Sequence, residues 1–142
     1  MPSGNEQFDL VYQVGVIEHF LDEGERLKAL QKMFEITGFG GFVLSIVPSG
    51  MHPLRQLMKE KNLGGYDIPE IDYTPELMVE ELEKCGGRNI RVLPHNLGGY
   101  LRMRPGLFYK IIFYLLQLIP LDWLPRNIAF RHCGSFIGIA QK

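Results

Sequence analysis

Short apolar runs and amphipathic stretches alternate along the chain, and their spacing predicts its elements. Phe8 to Gln13, "FDLVYQ", is mostly apolar or aromatic and reads as a short buried strand ended by a turn at Gly15. Asp22 stands at a helix N-cap with Glu25 at capping-box spacing. Leu27, Leu30, Met33 and Phe34 then share one helical face. The glycines of "TGFGGF" stop that helix, because glycine tolerates the left-handed turn a helix end often needs. Phe42 to Val47 is a continuous apolar run of strand length. It predicts burial on both faces, as in a parallel sheet, and Pro48 ends it.

"SGMHPLRQLMKEKN" reads as a short helix, and "NLGGYDIPEIDY" as a loop. "TPELMVEELEKCGG" is the clearest helix: Thr74 caps it, Pro75 opens its first turn, and Gly86 follows its end. Met78, Leu82 and Cys85 form its apolar face. Asn89 to Leu93 and Ser135 to Ala140 are further strands. Strands alternating with helices predict one α/β domain over residues 1–142 with a mostly parallel sheet. An apolar segment at 106–119, "GLFYKIIFYLLQLI", interrupts the alternation. It falls short of the roughly 20 residues a membrane span needs. As a helix it carries one narrow polar stripe, Lys110, Tyr114 and Gln117, flanked by Arg102, Arg104, Arg126 and Arg131. An interfacial membrane helix, a lid over a lipophilic substrate and a plain core helix all fit that pattern.

Composition adds little except in charge. Of 142 residues 46% are hydrophobic and 22% charged, which suits a globular domain. The formal net charge of −1 is unevenly distributed, because 15 of the 16 carboxylates precede Lys84 while 9 of the 15 cationic residues lie from Lys84 onward. Either the second half meets an anionic partner or the two halves attract each other within one fold. No nucleic-acid partner is expected. Cys85 and Cys133 are far apart without CxxC spacing, so neither a zinc site nor a disulfide framework follows. The N-terminus shows no signal-peptide pattern, and a reducing, cytoplasmic setting is the expectation, with membrane association left open.

The longer run "FDLVYQVGVIEHFLD" resembles the fourth-strand signature of class I S-adenosylmethionine-dependent methyltransferases: a Phe-Asp-apolar-apolar strand, a short loop, then an apolar-Glu-His-apolar helix start. The later pieces keep that family's order. "GGFVLSIVPS" resembles its fifth strand, "YTPELMVEELEKCGGRNIRV" the next helix and sixth strand, and "GSFIGIAQK" the final antiparallel strand. Residues 97–130 have no clear counterpart. The family's GxGxG-type turn, which lets backbone approach the cofactor, is absent, and "GFGG" at 38–41 precedes a strand instead of following one.

The resemblance implies a partial Rossmann-like sheet, the family's strands 4 to 7 with the last antiparallel, plus the apolar helical insertion. It implies S-adenosyl-L-methionine as cofactor and methyl transfer to a small-molecule or lipophilic acceptor. Gln13, Val14 and Gly15 would line the cofactor pocket. His19 would act as general base or orient the substrate, and Glu18 would pair with it or cap the helix start. Both could equally serve only the first turn of a helix. Ser49, His52, Tyr66 and Tyr73 would face the acceptor. Some family branches bind a metal through Glu-x-x-Glu-His, but Gly15 replaces the first Glu here and no metal is expected. A sheet that starts at the family's fourth strand would leave an edge open to a second copy or a complementing chain. The competing expectation is therefore a non-catalytic module that binds a partner or a membrane surface.

Overall fold

In the computed structural model, which describes residues 7–63 and 68–142, β1 (Phe8–Val14) leads through a 3-10 turn, Ile17–His19, into α1 (Glu23–Ile36). Then follow β2 (Thr37–Pro48), α2 (Pro53–Glu60), α3 (Pro75–Lys84) and β3 (Arg88–Leu97). A second 3-10 turn, Gly99–Met103, precedes α4 (Leu107–Leu116); a third, Leu121–Trp123, precedes α5 (Arg126–His132) and β4 (Cys133–Gln141). The caps form as the sequence implies: Asp22 accepts from the Glu25 amide at 3.1 Å and Thr74 from the Leu77 amide at 3.2 Å.

The four strands lie in the order β1-β2-β4-β3. β1 pairs parallel with β2, and β4 runs antiparallel to both β2 and β3, so three strands point one way and the last points back. This is the α/β sheet with a reversed final strand that the resemblance implied.

Burial departs from expectation. Val43, Val47, Phe136 and Ala140 project from one sheet face into a core with Leu30 and Phe34 of α1, Met78 and Leu82 of α3, and Phe130 of α5. Nothing described covers the other face. There Tyr12, Leu44 and Ile139 stand in one row and Val14, Ile46, Ile137 and Leu93 in the next. Tyr12 is 67% and Val14 58% exposed. β1 is thus an exposed edge strand, not a buried one. The apolar run of β2 alternates between a buried set (Val43, Ser45, Val47) and a set with Phe42 exposed and Leu44 and Ile46 half-buried. An apolar sequence on both sides of a strand shows that both faces suit burial, not that both are covered here.

Three boundaries also shift. Thr37 caps α1 in extended conformation and β2 starts at once, so "TGFGGF" lies within the strand; Gly40, at φ +79°, falls where the β1–β2 register slips. β3 runs on through Pro94 to Leu97, which an edge strand tolerates because one side of its backbone needs no partner. The segment at 106–119 is helical only from Leu107 to Leu116, and only Phe113 of it is buried. Leu107, Phe108, Ile111, Tyr114 and Leu115 are exposed, so it is not a core helix. No helix among the described residues is long and apolar enough to cross a membrane.

One buried polar cluster fixes the helical layer to the loops. The Arg26 guanidinium donates to Glu81 at 2.7 Å, and to the carbonyls of Phe20 and Leu21 at 2.9 Å each. The Tyr73 hydroxyl donates to the second Glu81 oxygen at 2.5 Å. Removing one partner of such a pair strands a buried charge. Glu81→Leu is expected to lower unfolding free energy by about 3–5 kcal/mol in denaturant titration, and Arg26→Met combined with it to restore most of that loss.

Candidate functional site

β1, β2 and β3 end on the same side of the molecule, and β4 begins there. A cavity of about 320 Å³ opens at that end. Its wall comes from Val14 at the end of β1 and Gly15 after it, Ile46 and Pro48 of β2, His95 of β3, and Ser135 of β4. By register Val14, Ile46, His95 and Ser135 belong to the uncovered face, so the cavity adjoins that face.

Gly15 turns the chain at φ +66°, a conformation that favours glycine, and its amide donates to the Ile46 carbonyl at 2.9 Å. Gln13 does not line the cavity. Its amide nitrogen donates to the buried Ser45 hydroxyl, and its oxygen accepts from the Val16 amide at 3.0 Å. It therefore braces the turn that presents Val14 and Gly15.

Glu18 and His19 lie on the next turn and outside the cavity lining. Glu18 is 1% exposed, and burial pushes its carboxyl above the usual range. One of its oxygens has no hydrogen-bond partner among the described residues. His19 is exposed, with Nδ1 3.4 Å from the Pro69 carbonyl. Ligand atoms of Glu18, His19 and Glu70 lie within 4.8 Å of one another, although Glu70 is already ion-paired with Arg55 at 2.7 Å.

The residues expected at the acceptor scatter. Ser49 is fully buried; its amide donates to the Gly134 carbonyl at 3.0 Å and its hydroxyl accepts from the Met51 amide at 3.3 Å. Tyr73 is fully buried against Glu81, and both burial and that hydrogen bond push its phenol far up. Tyr66 lies outside the described residues. His52 alone borders a cavity, a second one of about 410 Å³ between α2, the turn at Gly99–Met103, α4 and α5.

A thin partition separates the two cavities. Tyr100 lines the first and His52 the second, and their rings meet edge-on with centroids 4.9 Å apart. Arg55, buried in α2, donates to the Tyr100 hydroxyl at 3.3 Å and ion-pairs with Glu70 and Asp72. Nearby, Gly99 meets Gly134 on the wall of the first cavity. A Cβ on either would lie about 3 Å from the other's Cα, so the two backbones touch without side chains between them.

His95, Tyr100, Ser135 and His132 are the site residues that sequence reasoning passed over. His95 Nδ1 lies 2.8 Å from Ser135 Oγ across 40 residues of chain. The paired glycines of "HNLGGY", placed after a strand at this same end, were the one local signal for them.

No family model matches the chain, and no curated protein matches it. Solved structures do. A SAM-dependent methyltransferase from Archaeoglobus fulgidus is 14% identical with a TM-score of 0.63, covering 96% of this chain and 60% of its own. The cyclopropane synthase MmaA2 from Mycobacterium tuberculosis is 17% identical with a TM-score of 0.56, covering 97% and 56%. Phosphoethanolamine N-methyltransferase 2 from Haemonchus contortus, solved with S-adenosyl-L-methionine, is 16% identical with a TM-score of 0.56, covering 95% and 33%. The chain thus spans 60% or less of these three structures.

His52 gives the site a measurable pH signature. Burial, and then repulsion from His132, lower its pKa from 6.5 to about 4. The unfolded chain therefore binds a proton that the folded chain refuses. The contribution of His52 is complete above pH 6.5 and is lost as pH falls toward 4, in total roughly 3 kcal/mol. His52→Asn keeps a cap for the Leu54 amide. Its unfolding free energy is expected to fall less steeply than that of the parent between pH 6.5 and 4. Strand order, the reversed last strand, the cavity at the strand ends and the solved relatives agree: the chain has the class I SAM-dependent methyltransferase fold.

Proposed function

We propose that this chain carries part of a SAM-dependent methyltransferase site that acts on a small-molecule acceptor. The observation that carries the reading is the cavity at the carboxyl ends of β1, β2 and β3, where open α/β sheets take their ligands. Gly15 presents bare backbone there, and the partition carries Tyr100 on its far wall. In the transfer, an electron pair of the acceptor forms the new bond to the methyl carbon while the carbon–sulfur bond breaks. S-adenosylhomocysteine leaves, and the acceptor's proton passes to a base. His95 is better placed for that role than His19, because it lines the cavity. Glu18 and His19 act beside the Gly15 turn: a Cβ at Gly15 would lie 3.4 Å from Glu18 Oε1.

Calorimetric titration with S-adenosylhomocysteine tests the reading. Micromolar binding is expected, weakened at least tenfold by Gly15→Val, which strains the turn. A folded chain that gives no heat would remove the proposal for this polypeptide.

The uncovered sheet face supports a second reading, in which the chain works joined to another copy or to a complementing chain along β1. Apolar edge strands favour such pairing. Light scattering across a concentration series is expected to show self-association, and Tyr12→Lys with Val14→Lys to abolish it. A parent chain that stays monomeric at high micromolar concentration would contradict self-pairing.

A further inference from the structure

The second cavity differs in chemistry from the first. At about 410 Å³ it lies within the size range of small-molecule pockets. Leu101, Leu116, Leu124 and Ile128 supply its walls, and no Asp, Glu, Lys or Arg lines it. Ordered water would find few partners in so apolar a space. Its polar features are two histidines. His52 Nδ1 accepts from the Leu54 amide at 3.2 Å, which places the proton of the neutral ring on Nε2. No described residue accepts a hydrogen bond from that nitrogen. His132 stands beside it, ring centroids 6.2 Å apart.

The position of these histidines matters as much as the walls. His52 belongs to the partition whose other side, Tyr100, lines the cavity at the strand ends. Gly98 and Gly99 are successive residues, yet Gly98 borders the apolar cavity and Gly99 the other. A molecule whose chain fills the apolar cavity would carry its polar end at the partition, next to the strand ends.

We infer that the 410 Å³ cavity takes the hydrocarbon chain of a single-chain amphiphile, with the oxygen of its polar end accepting from His52. The inference stands apart from the methyltransferase reading, because the partition lies between His52 and the cavity at the strand ends. An alcohol or carbonyl end group suits the neutral imidazole, and no cation lines the cavity to hold an acid inside it.

The test is binding of 1-decanol to the whole chain, followed by NMR of its labelled leucine and isoleucine methyls. Shifts are expected at Leu101, Leu116 and Ile128, with saturation at micromolar concentration. Leu116→Trp, which fills the cavity, should abolish them. Ile128→Trp fills it from α5 and serves if the first variant fails to fold. His52→Phe should weaken decanol binding about three- to tenfold, the worth of one hydrogen bond. Shifts confined to Ile46, Ile137 and Ile139 would mean that decanol merely wets the uncovered sheet face, and would overturn the inference. So would the absence of shifts. Decanol binding without S-adenosylhomocysteine binding would uphold the cavity and sink the methyltransferase reading, while the reverse result would sink the cavity alone.

Discussion

The ion pair between Arg26 and Glu81 is the constraint on which the arrangement rests. It lies inside the helical layer, and its partners come from four places: α1, α3, the turn before α1, and the loop that ends at Tyr73. Each partner fills hydrogen-bonding capacity that would otherwise be stranded away from water. The cluster costs desolvation, so a well-packed apolar set could equal it in stability. What it supplies is geometry. The carbonyls of Phe20 and Leu21 tie Arg26 to the chain between the turn at Ile17–His19 and α1, while the Gly15 amide holds its own turn to Ile46 at the strand ends. Arg55 repeats the device on the other side of the site, linking α2 to Glu70 and Asp72 and holding the Tyr100 hydroxyl.

Among the described residues, all the helices that meet the sheet lie on one side of it. A sheet of this kind usually carries a layer on each face, because strands apolar on both sides must hide both. Here the second face keeps its apolar rows and shows them to solvent. The cavity at the strand ends adjoins that same face, so whatever covers the sheet would also close the site. Closure of the cavity and burial of the sheet are therefore linked through a single surface.

Local features were legible in the sequence and relations across space were not. Asp22, Thr74 and Pro75 act within one helical turn, and their roles can be read from neighbours three residues away. The strand-and-turn run around Gly15 carried its family likeness within Phe8 to Asp22. By contrast "TGFGGF" is spelled like a turn, yet it pairs as strand because the β1–β2 register slips beside it. α5 has only seven residues, too few to show a helical period. Ser49 and Tyr73 have the chemistry of site residues, but each is consumed by a buried neighbour. His95 and His132 have no partner close in sequence, since Ser135 and His52 are 40 or more residues away. Helix α4 shows the same limit from the other side: its composition suits a core, but it packs on the turn at Gly99–Met103 and leaves most of its surface wet.

The contact between Gly99 and Gly134 packs main chain against main chain on the wall of the strand-end cavity. Clearance of this kind has almost no slack, since two backbones cannot approach further and a single methyl group would act as a shim. A Cβ at Gly99 would also meet the Asn96 side-chain amide at 2.6 Å, so a substitution there would displace a polar group of the same wall. The shape of that wall is thus gauged by two residues with no side chain.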